Sequence, residues 1–135
     1  MTVQNYLIVN LGRRNKMGAQ GMFSRIQDVT ILSGATKSNI VSSKQVGDAW
    51  AVGIKAPASI NTATGLTIEV CEKDDATAGD VWATLEDYAG AAIAPPGAGK
   101  ARTISEIMAF GSFRLSVTGA PNADTTWTVG KNFTG

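Results

Sequence analysis

The stretch TGLTIEVCEKDDATAGDVWATLEDY, residues 64–88, sets two alternating runs on either side of a polar knot. In the first, Leu66, Ile68 and Val70 alternate with Thr67 and Glu69. In the second, Val81, Ala83 and Leu85 share one face, and Trp82 and Thr84 take the other. Alternation at every second residue marks a half-buried strand. The knot between them, EKDDATAGD, holds four carboxylates and one lysine. A calcium loop of the EF-hand type needs oxygen ligands at alternate positions and a glutamate at the twelfth. Counted from Asp74, Ala76 already fails the third position. Nothing apolar surrounds the acids to split the pKa values of a catalytic pair. The stretch therefore reads as a β-hairpin with a solvated turn, in which Gly79 can take a positive φ. Weak calcium binding is the alternative for the knot.

The same period continues outward. RIQDVTIL and IVSS precede AWAVGIK, where Trp50, Val52 and Ile54 alternate with Ala51 and Gly53. Phe113, Leu115 and Val117 alternate with Arg114 and Ser116, and Trp127 and Val129 repeat the pattern near the end. Trp50 and Trp127 thus read as core residues. No segment has a sustained helical period; TISEIMAF is short and runs into Gly111, so it predicts at most one turn between strands. GAAIAPPGAGKA cannot be a central strand, because proline donates no ladder hydrogen bond, and it is expected to cross between sheets. The resulting fold class is all-β: an antiparallel β-sandwich, jelly-roll-like or Ig-like, of seven or eight short strands. Residues 1–22 are different. GRRNKMGAQG has no period, and the segment reads as an extended N-terminal arm ahead of a single sandwich domain, 23–135.

Composition narrows the chemistry. At 135 residues, 44% of them hydrophobic and 17% charged, the chain suits one globular domain. It has no histidine and one cysteine, Cys71. A Ser–His or Cys–His nucleophile, a thiolate–imidazole zinc site and an internal disulfide all lack their parts. Cys71 reads as a passive thiol. The net charge of +1 is uneven: residues 1–27 carry Arg13, Arg14, Lys16 and Arg25 without an acid, and the rest holds eight bases against eleven acids. A basic leading segment on an acidic body suggests contact with something acidic, with too few bases to indicate nucleic acid. No apolar run approaches the length of a membrane helix, and YLIV precedes Arg13 and Arg14, the reverse of a secretory signal. PPGAGKA imitates a phosphate loop, but Ala94 and Ala101 replace the required glycine and hydroxyl. The sequon NFT reads as accidental. No cofactor or metal site is expected, and no enzyme.

PASINTATGLTIEV, the polar turn, DVWATLEDYAGAAI and FGSFRLSVTGAPNADTTWTVG together resemble small β-sandwich virion proteins of tailed bacteriophages, over roughly residues 47–130. The matching positions are Pro57 and Ala58, Leu66 to Val70, Trp82 and Leu85, Phe113 to Leu115, and Thr126 to Val129. The turn is longer and more acidic than in that layout, and the arm has no counterpart in it. The resemblance implies a capsid decoration (cement) protein on the outer surface of the phage head, made in the host cytoplasm. Its partners would be the major capsid protein and its own copies, a trimer being favoured, with no nucleic acid or membrane. Capsid contact would fall to Tyr6, Leu7, Arg13, Arg14 and Lys16, and Trp82 is the candidate for a subunit interface. The alternative is a carbohydrate- or receptor-binding sandwich of a tail or head fibre, which needs exposed rings in one cleft. A carboxylate-dependent hydrolase ranks third, since no two acids can be paired from the sequence.

Overall fold

The computed structural model describes residues 23–46 and 51–132. The segment 1–22 and Trp50 lie outside these residues, and with them the arm and one of the two tryptophans expected in the core. Within the described residues the chain forms strands β1 (Phe23–Ile31), β2 (Val41–Ser42), β3 (Ala51–Lys55), β4 (Thr67–Cys71), β5 (Ala83–Thr84), β6 (Ala101–Thr103), β7 (Ser112–Ser116) and β8 (Thr125–Asn132). They make two four-stranded sheets, β1-β8-β3-β6 and β2-β7-β4-β5. Every strand pair is antiparallel.

The pairings are nested. β1 pairs with β8, β2 with β7, β3 with β6 and β4 with β5, so the chain is one long hairpin doubled at the 72–82 turn. Successive rungs alternate between the two sheets, and the β8–β3 and β7–β4 pairings join the rungs within each sheet. This is the jelly-roll form of the sandwich, two Greek keys in eight strands. The all-β class expected from the alternation is the one the chain adopts.

Alternation decides which side chains meet. Val29, Ile31, Val52, Ile54, Trp127 and Val129 face inward from one sheet, and Val41, Ile68, Val70, Phe113 and Leu115 from the other, all buried. Trp127 has no exposed surface, and its indole N–H donates to the Pro96 carbonyl at 3.1 Å. That bond gives the proline-rich stretch its place: it carries the chain from β5 to β6, in the opposite sheet, with Pro95 and Pro96 buried. Removing an indole from water is worth on the order of 5 kcal/mol.

Two short turns complete the connections, and one local expectation changes. A single helical turn, α1 (Ser43–Val46), follows β2. TISEIMAF holds one turn of 3-10 helix, Ser105–Ala109, which seats Ile107 in the core, as its length allowed. The second arm of the central hairpin is shorter than the VWATL run. Leu85 is buried, its N–H bonded to the Ile68 carbonyl at 2.8 Å, but Val81 is 89% exposed. The ladder begins only at Ala83, so Val81 belongs to the turn and not to the core face.

Candidate contact surface

The acidic knot is the turn of the β4–β5 hairpin, whose register pairs Glu69 with Thr84 and Val70 with Ala83. It is closed by side chains. Asp80 accepts the Thr77 backbone N–H at 2.7 Å and Lys73 Nζ at 3.1 Å. The Thr77 bond above all, then Lys73, holds the Asp80 carboxyl below its ordinary range, and Asp80 raises Lys73 in return. Gly79 does not take the positive φ expected of it; the side chain of Asp80 shapes the bend instead. The turn also folds back on the sheet. Ser112 Oγ donates to the Lys73 carbonyl and Ser42 Oγ to the Asp74 carbonyl, both at 2.6 Å. A methyl group at Gly111 would run into the backbone of Glu72, Lys73 and Asp74, so glycine is required at that crossing. Among the described residues, no three acids or thiols gather closely enough to hold a metal ion.

Beside the turn, the outer face of the second sheet carries a charged cluster. All five residues of β7 are buried, although Ser112, Arg114 and Ser116 point away from the core. Arg114 explains this. Its Nε donates to Glu69 Oε1 at 2.8 Å, and its guanidinium lies 4.2 Å from the centre of the Trp82 ring. Lys37 Nζ reaches the other carboxylate oxygen of Glu69 at 2.9 Å and Ser116 Oγ at 2.8 Å. Burial pushes the Glu69 carboxyl up, but the hydrogen bonds and charges of Lys37 and Arg114 together outweigh it, and the net shift is downward. Trp82 is half-buried: Arg114 stacks on its ring, and its indole N–H donates to the Thr77 carbonyl at 3.1 Å. Its anchorage within the chain is therefore clear, and it fastens the turn to the sheet.

A third feature lies along β5. A groove of about 410 Å³ is lined by the buried Val70 and Leu85, the exposed Ala83, and the acids Glu86, Asp87 and Glu106. Tyr88 and Phe110 flank it, Tyr88 fully exposed and Phe110 37% exposed. Asp87 Oδ1 accepts the N–H groups of Ala89 and Ala91, which fixes the loop after the strand. Among the described residues, no cation pairs with these three acids. Local pattern leaves Tyr88 and Phe110 in separate loops, because only the topology brings them to one groove.

Tyr6, Leu7, Arg13, Arg14 and Lys16 lie outside the described residues. Cys71 is buried and free, at the end of β4 opposite Ser112. No helix among the described residues is long and apolar enough to cross a membrane. Comparison with known proteins finds no matching family model, curated protein or solved structure.

Proposed function

We propose that this chain is a structural protein of a phage virion, a capsid decoration protein that binds the assembled head from outside and stabilises it. The nested jelly roll is consistent with the reading, since viral capsid domains share this architecture with lectin domains and cupins. A fold alone assigns no role. The surface adds support: the aromatic, acid-rimmed groove suits a protein whose work is contact. So does a 22-residue leading segment with Arg13, Arg14 and Lys16 and no acid. A decoration protein favours the assembled shell by binding it and not the loosened one, and the stabilisation follows by mass action. Copies set around a local symmetry axis add modest contacts to the major capsid protein into high avidity.

The test is to add the purified protein to heads that lack it. Saturable binding at fixed copies per capsomer, with a higher temperature of head disruption, is the expected result. Absence of binding overturns the reading. The exposed pair Tyr88 and Phe110 gives a second reading, a glycan-binding module, some support; specific capture on a glycan array without head binding would select it.

A further inference from the structure

We propose that the 72–82 turn is an acid-sensitive clasp: as pH falls it lifts from the second sheet, taking Trp82 with it, while the sandwich stays folded. The device belongs to the central hairpin itself and stands apart from the decoration reading.

The fastening depends on two carboxylates. Glu69 accepts Arg114 Nε at 2.8 Å and Lys37 Nζ at 2.9 Å, one on each oxygen. The Arg114 guanidinium carries the Trp82 ring, and the Trp82 indole N–H donates to the Thr77 carbonyl inside the turn. Asp80 closes the turn itself, accepting the Thr77 N–H and Lys73 Nζ. Around Glu69 stand Lys37 from the β1–β2 connection, Arg114 from β7 and, opposite it on β5, the uncharged Thr84. Around Asp80 stands Lys73, which also feels the charge of Asp75. A looser pair, Lys44 with Asp74 at 3.8 Å, joins α1 to the turn.

Protonation reverses what Glu69 does. The Arg114 side chain is only 10% exposed, and a buried charge that loses its partner is strongly destabilising. Lys37, which shared the carboxylate, then repels it. Relief lies outward: Arg114 turns to water, and the Trp82 ring loses the cation it rests on. Neutral Asp80 gives up Lys73 in the same direction. Both carboxyls are held below their ordinary values, so the clasp is complete above those values and is lost as pH falls through the lowered ones.

The interior does not share this response. Among the described residues Arg114 is the only buried charged one; the other buried polar residues are Ser38, Ser112, Ser116 and Thr125. The core therefore holds no carboxyl to protonate. The chain also lacks histidine, so no imidazole titrates nearer neutrality. Acid acts on the turn first.

Nitrogen-edited NMR of the full chain reads both regions through the indole N–H signals of Trp82 and Trp127, with Trp82→Phe assigning the first. In an acid titration the Trp82 signal should move to the position of a solvent-exposed indole, with a midpoint below the ordinary 4.5 of a glutamate. The Trp127 signal, bonded to Pro96, should keep its position over the same range. Glu69→Gln should shift the Trp82 signal toward the released position already at neutral pH and blunt its response to acid. Lys37→Met should move the midpoint upward, because Lys37 helps to hold the Glu69 carboxyl low. Both indole signals moving together, a Trp82 signal unchanged by acid, or a Lys37→Met midpoint that stays or falls overturns the clasp. The wild-type titration decides between local release and global unfolding even where a variant fails to fold.

Discussion

Trp127 and Glu69 show how single residues divide the work of this fold. Trp127 has no exposed surface, and both its ring and its N–H are satisfied inside. Trp127→Ala leaves a large cavity and an unmet Pro96 carbonyl, and denaturant titration should record a loss of about 3–5 kcal/mol. Glu69 acts through charge. Burial raises its pKa, Lys37 and Arg114 lower it, and the net value sits below the ordinary 4.5. As pH falls below about 4.5, the unfolded chain takes up a proton that the folded chain resists, so the pair's contribution is lost as pH drops through the folded pKa. Glu69→Gln should be less stable than wild type at neutral pH, and the gap should narrow as pH falls below the ordinary 4.5 of a glutamate and through the lowered pKa of Glu69. A gap that stays constant with pH would show that the ion cluster adds nothing to stability.

At the scale of elements, the central hairpin is held twice, by its ladder and by the turn's return onto the sheet through Ser42, Ser112 and the Arg114–Trp82 stack. Gly111 is where the return crosses closest. Gly111→Ala must push backbone against backbone, and should lower stability by about 1–3 kcal/mol in a thermal or urea melt. The strands themselves were legible, because Ile68 and Val70, Phe113 and Leu115, and Trp127 and Val129 each alternate with polar neighbours. Val81 misled, since a residue in register by spacing can still precede the first rung of the ladder. The Lys37–Glu69–Arg114 cluster was not legible for a different reason. It depends on β7 lying beside β4 in a register that pairs Arg114 with Glu69, which is a matter of long-range topology and not of local pattern. The groove needed the same knowledge, as Tyr88 and Phe110 stand 22 residues apart along the chain.

For the whole molecule, residues 1–22 carry no repeating apolar face in their sequence, whereas the strands from Phe23 to Asn132 pair into two four-stranded sheets. Deleting residues 1–22 should therefore leave a cooperatively folding β protein, changed in stability by less than about 1 kcal/mol when measured at concentrations where association is negligible. Loss of cooperative unfolding would place YLIV inside the sandwich. The nesting has another consequence, for folding order. Among the described residues, the outermost rung sets Phe23 against Asn132, so the pairing most distant along the chain joins the first strand of the sandwich to the last. A circular permutant would reverse that hierarchy. Linking position 132 to position 23 and opening the exposed loop between Ala98 and Gly99 would turn β8 and β1 into a local hairpin. The β3–β6 rung would become the long-range one instead, and it pairs only three residues. Since rates rise as contacts become local, stopped-flow refolding of the permutant should outpace that of the natural chain order.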